Sequence, residues 1–179
     1  MRTMRMVQVV LVLMLMSCKN KDNRLREPDM NLEKLSLNDT ITNQVNVFLA
    51  DFLNNRDSSK LASVVTPDFA RFMNGIKVAS NASELNASLN VFYTGFPDMH
   101  ISKSSNYIKD NQVFVQWVFT GTNTGEFGEV PATGKKVKIL GLSQLHFNEM
   151  GKMYQEDVFY NELDLLQQLG YTLKPPVME

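Results

Sequence analysis

One stretch of the chain decides the fold: Val113-Phe114-Val115-Gln116-Trp117-Val118-Phe119. It consists almost entirely of β-branched and aromatic residues, which are typical of β-strands. The turn Lys109-Asp110-Asn111 precedes it, and before that turn the segment Met99 to Ile108 alternates loosely between polar and apolar residues. Two more strands are predicted after it, from Val137 to Phe147 and from Lys152 to Tyr160. Strands joined by short turns pair antiparallel, so this half of the chain predicts an antiparallel sheet.

The N-terminal half carries helical patterns instead. Asn38 or Asp39 is expected to cap the first helix. Its apolar residues recur at three- and four-residue spacing: Ile41, Val45, Phe48, Leu49, Phe52 and Leu53. Shorter helices are predicted over 59–65 and 80–93, and a last one over 161–169, closed by a glycine. Helices first and hairpin-linked strands afterwards predict one α+β domain.

The first 18 residues have the features of a bacterial secretion signal. Arg2 and Arg5 precede an apolar run, Val7 to Met16, that is too short to span a membrane permanently. The run ends in Leu15-Met16-Ser17-Cys18, which resembles the lipobox of bacterial lipoproteins, with a small residue before the cysteine that becomes acylated. We therefore predict that residues 1–17 are a signal peptide. An acyl group such as palmitate on Cys18 would anchor the protein in the cell envelope, on the periplasmic face or the cell surface.

The rest of the chain is predicted to divide into three parts. Residues 18–37 are rich in Lys, Asn, Asp, Arg and Glu and are interpreted as a polar tether. Residues 38–173 are predicted to form the folded domain, which is long enough for one packed core. Residues 174–179 are interpreted as a tail.

Composition narrows the classes of function. The net charge of −1 gives no electrostatic reason to expect nucleic-acid binding. The single cysteine excludes an intrachain disulfide and a CxxC-type metal site. No metal and no cofactor are predicted.

Several short strings carry a family resemblance. In order, they are Phe96-Pro97-Asp98-Met99-His100-Ile101, then Trp117 with Thr120-Gly121-Thr122-Asn123-Thr124-Gly125-Glu126-Phe127, then Pro131-Ala132-Thr133-Gly134-Lys135-Lys136-Val137, Gly151-Lys152-Met153, and Leu165-Leu166-Gln167-Gln168-Leu169-Gly170. Together with the order of helices and strands, they make residues 37–170 resemble the SnoaL-like polyketide cyclase (ester cyclase) family of the nuclear transport factor 2-like superfamily. The resemblance implies a cone-shaped, curved antiparallel sheet packed on about three N-terminal helices, with a short C-terminal helix and a cavity inside.

The resemblance also implies a reaction and the residues for it. The family's cyclases use neither a cofactor nor a metal: a buried Asp, assisted by a His, removes a proton next to a carbonyl, and the carbanion attacks a second carbonyl. The family's His corresponds to His146, but its Asp corresponds to Val158 and a second acidic position to Asn161. Asp157 stands where the family has a Trp, and strand alternation points it away from the face of Val158. The family's acid/base pair is therefore not intact.

Three residues stay as candidates for catalysis: His146, Glu156 and Asp157. Glu156 shares the strand face of Val158 and is either a displaced carboxylate or a rim residue. His146 is either a functional group or a hydrogen-bonded structural residue, and Asp157 would need a bulge to turn inward. The pocket wall is predicted to include Trp117, Gln144, Val158 and Tyr160.

Three functions remain open at this point. The first is non-catalytic binding of a small hydrophobic molecule in the cone, and the second is a cofactor-free cyclase or isomerase acting by proton transfer next to a carbonyl. The third is an interaction module whose sheet face binds another envelope protein or a second copy of the chain, as a homodimer. The sequence leaves open whether the domain is an enzyme, and it does not identify a ligand.

Overall fold

The computed structural model describes residues 26–129 and 131–175, and within them the chain forms four α-helices and one six-stranded sheet. The helices are α1 (Arg26–Asn46), α2 (Leu61–Val64), α3 (Ala82–Gly95) and α4 (Glu162–Leu169). The strands are β1 (Val65–Met73), β2 (Ile76–Ala79), β3 (His100–Lys109), β4 (Gln112–Thr122), β5 (Lys136–Phe147) and β6 (Met153–Tyr160). The predicted α+β class is confirmed. The predicted signal peptide and Cys18 lie outside the described residues.

Helix α1 begins earlier than the sequence suggested. We expected a cap at Asn38 or Asp39, but the helix runs through both residues from Arg26. The carbonyl of Asn38 accepts a hydrogen bond from the Thr42 hydroxyl at 2.8 Å, an arrangement of helix interiors. The structure divides between Ser36 and Leu37, and the functional site is described for the second unit alone.

Helix α1 continues directly into a π-helical segment, Val47–Asn54, whose apolar side is buried. It ends at Asn54, and the Asn54 side chain attaches it to β3. The amide nitrogen donates to the Ile101 carbonyl at 2.9 Å, and the amide oxygen accepts from the Ile101 N–H at 2.8 Å. Asn54 thus forms the two hydrogen bonds to the Ile101 backbone that a neighbouring strand would form, at the edge strand β3.

The six strands form a curved, unclosed sheet in the order β2-β1-β6-β5-β4-β3. All neighbouring pairs are antiparallel except β1 and β6, which are parallel. The expectation of a wholly antiparallel sheet is therefore wrong for this pair. Turn signals reveal hairpins, such as the β1–β2 turn at Asn74-Gly75 with φ of 50° and 84°, but they carry no information about strands that are distant in the chain.

One face of the sheet packs on the helices and the other faces outward. The inner face and the helices share a core whose largest fully buried side chains include Phe48, Phe52, Phe69, Phe96 and Ile41. Between residues 26 and 175, leaving out residue 130, no helix has the length and apolar character needed to cross a membrane. The functional question therefore turns on the space between the inner sheet face and the helices.

Candidate functional site

A cavity lies between the inner face of the sheet and the helices. The empty space in and around it, open solvent at its mouth included, amounts to about 620 Å³, whereas the space that centres of water-sized spheres can occupy is about 60 Å³. Thirteen of its lining residues are apolar or aromatic: Leu49, Leu53, Met73, Leu89, Phe92, Met99, Ile101, Trp117, Phe119, Ile139, Val158, Tyr160 and Leu165. The other three are Arg71, Ser143 and Glu156. A mainly apolar wall with a few polar groups is typical of sites for small molecules.

Strand alternation on β4 and β5 builds one wall of the cavity. The indole of Trp117 lies against Gly141, where a Cβ would come within 2.1 Å of the ring. The absence of a side chain at Gly141 therefore makes room for the indole. The indole Nε1 donates a hydrogen bond to the Ser143 hydroxyl at 3.0 Å, two residues further along β5.

The pairing of β1 with β6 adds a buried ion pair. Arg71 and Glu156 are register partners on these strands, so their side chains emerge from the same face of the sheet. Arg71 Nε lies 3.3 Å from Glu156 Oε2, and the two side chains are 8% and 3% exposed. Glu156 Oε1 accepts a hydrogen bond from the Ser143 hydroxyl at 3.1 Å. The chain of contacts Trp117–Ser143–Glu156–Arg71 thus lines the cavity with connected polar groups.

Part of the hydrogen-bonding capacity of this pair is unused. Among the described residues, Arg71 Nε and Nη1 and Glu156 Oε2 have no hydrogen-bond partner, although all three atoms are buried. The contact between Nε and Oε2 is thus an ion pair without the geometry of a hydrogen bond. Buried polar atoms nearly always have partners, and leaving one without costs about 1–3 kcal/mol. The pair is therefore the strongest candidate for the chemistry of the cavity.

Tyr160 adds a neutral hydroxyl to the cavity wall. Burial is the main cause that raises its pKa to about 12, and the negative charge of Glu162 adds to the effect. Its hydroxyl donates to the Met73 sulfur at 3.6 Å. The phenol is therefore uncharged at physiological pH and can act as a hydrogen-bonding group but not as an anion.

The predicted site residues divide between the two faces of the sheet. Trp117, Glu156, Val158 and Tyr160 line the cavity. Gln144 is not among the lining residues, because inward positions on β5 are the odd-numbered ones, such as Ile139 and Ser143. Gln144 instead donates a hydrogen bond to the Gln112 side chain on β4 at 2.9 Å.

His146 and Asp157 meet on the outer face. His146 Nε2 lies 2.9 Å from Asp157 Oδ2, which also accepts from Gln155 Nε2 at 2.8 Å. A bulge does interrupt β6, as the register shift opposite His146 and Phe147 shows. It exposes Tyr154 but leaves Asp157 pointing outward. These two candidates are thus brought together, but away from the cavity.

The sequence reasoning missed Arg71 and Ser143. Phe69, Arg71 and Met73 alternate along β1, and an arginine between two apolar inward positions is the signal that could have found it. Ser143 likewise shares the inward face of Ile139 and Leu145. Within 26–129 and 131–175, no three His, Cys, Asp or Glu side chains lie close enough together to hold a metal ion.

The fold and the cavity together define a cone of the nuclear transport factor 2-like class. The SnoaL-like polyketide cyclase family matches residues 43–169. The chain therefore belongs to the SnoaL-like polyketide cyclase family, as its sequence motifs suggested.

Solved structures of the same fold are numerous. A protein from Jannaschia sp. CCS1, assigned as a SnoaL-like polyketide cyclase, is 19% identical with a TM-score of 0.68, over 76% of this chain and 94% of that chain. AclR from Streptomyces galilaeus, assigned as a hydroxylase, is 22% identical with a TM-score of 0.63, over 79% and 85%. IdmH from Streptomyces antibioticus, assigned as a polyketide cyclase, is 18% identical with a TM-score of 0.64, over 73% and 99%. No curated protein matches the chain. At these identities the likeness shows the fold alone.

Proposed function

We propose that this domain binds a small, largely apolar molecule in its cavity and does not carry out the family's ring closure. The observation that carries the proposal is the apolar wall around a single buried ion pair. Val158 lines the cavity at the position that corresponds, by resemblance, to the family's acid/base Asp. A valine cannot accept a proton at any pH, and general acid/base catalysis contributes about 10²–10⁴-fold to a rate.

The test pairs binding with turnover. Hydrophobic carbonyl compounds are screened for thermal stabilisation of the purified protein, and every binder is assayed for chemical conversion by the wild type and by Val158→Asp. We expect stabilisation without wild-type turnover, with any gain confined to the substituted protein. Wild-type turnover that disappears in Glu156→Gln would contradict the proposal.

A cofactor-free cyclase or isomerase is the second candidate, and one observation favours it. Glu156 lines the cavity, and its Oε2 accepts no hydrogen bond among the described residues, so a carboxylate oxygen is available to take a proton next to a substrate carbonyl. Against this stands Arg71, whose charge compensates that of the carboxylate at 3.3 Å, because a proton taken up by Glu156 would leave a buried guanidinium without a counter-charge.

Location and assembly complete the proposal. We infer from the lipobox that an acyl group on Cys18 anchors the protein in the cell envelope. The outer sheet face carries large exposed apolar residues, with Leu140 70% and Phe159 46% exposed. A second copy of the chain, paired through this face as a homodimer, is the partner we propose. Light scattering of the wild type and of Leu140→Lys tests it, and a monomeric wild type would contradict it.

A further inference from the structure

The buried pair of Arg71 and Glu156 also restricts which molecules the cavity can hold. Resting on the proposed binding function, we propose that the cavity selects neutral ligands that carry a hydrogen-bond acceptor and a donor side by side, as a primary amide does, over carboxylates. The inference rests on the charges of the two side chains, on their burial and on their unused hydrogen-bonding atoms.

Charge balance disfavours an anionic ligand. Arg71 is the only cationic residue among the described lining residues, and Glu156 already compensates its charge. A ligand carboxylate at Arg71 would bring a second negative charge next to Glu156 in a buried site, where like charges repel strongly. By the same reasoning, a cationic ligand would place a second positive charge next to Arg71. A neutral ligand leaves the balance of the pair unchanged.

The unused atoms define which neutral groups fit. Among the residues that the structure describes, Arg71 Nη1 is a donor without a partner, and Glu156 Oε2 is an acceptor that receives no hydrogen bond. A guanidinium only donates and an ionised carboxylate only accepts. Because the guanidinium and the carboxylate are in contact, with Nε and Oε2 3.3 Å apart, a ligand that serves both groups must carry its acceptor and its donor close together, as when both are bonded to one carbon. The carbonyl oxygen and N–H₂ of a primary amide have this arrangement.

The other polar groups of the wall do not change this preference. The Trp117 indole donates to Ser143, and the Ser143 hydroxyl donates to Glu156 Oε1. The Tyr160 hydroxyl donates to the Met73 sulfur. Their hydrogens are therefore engaged within the protein. The remaining lining near the pair, including Met73 and Val158, is apolar and accommodates a hydrocarbon or aromatic body.

Four probes that share a phenyl ring on a three-carbon chain test the inference. They are 3-phenylpropanamide, its N,N-dimethyl derivative, 3-phenylpropanoate and n-propylbenzene, which offer in turn a donor with an acceptor, an acceptor alone, an anion, and neither. Binding is followed by the fluorescence of Trp117, the single tryptophan of the chain, which lines the cavity. We expect the primary amide to bind about tenfold more tightly than the other three, because hydrogen bonds to charged groups are the stronger ones.

A second experiment removes the negative charge of the pair and measures the binding of the same probes. Glu156→Gln leaves the positive charge of Arg71 uncompensated, so we expect 3-phenylpropanoate to bind about tenfold more tightly than to the wild type. Asp157→Asn is the matched control, since it makes the same chemical change one residue away on β6 but on the outer face, and it should leave the order of the probes unchanged.

The outcomes separate the inference from the function on which it rests. If n-propylbenzene or the carboxylate binds the wild type as well as the amide does, the inference fails and the binding function stands. If none of the four probes binds up to its solubility limit, the binding function fails, and the inference fails with it.

Discussion

Gly141 on β5 supports the indole ring of Trp117 on β4. A Cβ at Gly141 would lie 2.1 Å from Trp117 Cζ2 and 2.2 Å from Cη2, far inside van der Waals contact. The two residues are register partners, so the absence of a side chain at Gly141 leaves room on β5 for the large ring. The ring in turn forms part of the cavity wall and holds Ser143 by its hydrogen bond.

Gly141→Ala should therefore displace the indole. We expect a loss of about 1–3 kcal/mol in the free energy of unfolding, as for other overpacked sites, and a shifted emission maximum, because Trp117 is the single tryptophan. Urea unfolding and the emission spectrum measure the two effects. Lys138→Ala, on an exposed position of the same strand, is the control and should change stability by no more than about 0.5 kcal/mol. An unaltered spectrum in Gly141→Ala would show that the ring is not held as described.

The buried pair should be strongly coupled. Removing one partner leaves an uncompensated buried charge, so we expect Arg71→Met and Glu156→Leu each to lose about 3–5 kcal/mol of unfolding free energy. The double substitution removes both charges and should lose much less than the sum of the two single losses. Urea unfolding of the four proteins measures the coupling, with Glu149→Leu, an exposed glutamate, as the control. Additive losses would contradict the ion pair.

Most of the fold could be predicted because its signals are local. The apolar spacing from Ile41 to Leu53, the alternation of Val113, Val115 and Trp117, and the glycine that ends α4 each depend on a few neighbouring residues. Gly170, with φ of 108°, ends α4 as expected. The start of α1 was placed too late, because a polar helix that is exposed along residues 32–36 has no apolar stripe to reveal it.

The site was predicted only in part because its partners come from distant strands. Glu156, Val158 and Tyr160 share one face through the alternation of a single strand, and all three line the cavity. The contact of Arg71 with Glu156 depends on the parallel pairing of β1 and β6, which no turn signal specifies. Similarly, the outward direction of Gln144 follows from the register of β5, and a shift by one residue would reverse it.

The ionisation of Tyr160 predicts how stability changes at alkaline pH. Its pKa is about 12 in the folded protein, against an ordinary value of 10.0. The unfolded chain therefore releases this proton at a lower pH than the folded protein does. The stabilising contribution is complete below about pH 10 and is lost as the pH rises toward 12.

We accordingly expect the unfolding free energy of the wild type to fall between pH 10 and 12 by more than that of Tyr160→Phe, which has no proton to lose there. Chemical unfolding at a series of pH values compares the two proteins, and ultraviolet difference absorbance follows the phenol directly. Tyr107→Phe, at an exposed position, is the matched control. Parallel pH profiles of the wild type and Tyr160→Phe would contradict the raised pKa.

Membrane attachment should depend on the cysteine of the lipobox and not on its neighbour. Each buried methylene of an acyl chain contributes about 0.8 kcal/mol to membrane binding, so two or more chains on Cys18 would anchor the protein stably. In a detergent phase-partition assay of cell extracts, we expect the wild type in the detergent phase and Cys18→Ala in the aqueous phase. Ser17→Ala keeps a small residue before the cysteine and should partition like the wild type. If Cys18→Ala also stays with the detergent, the protein is not a lipoprotein, and its envelope location loses its support.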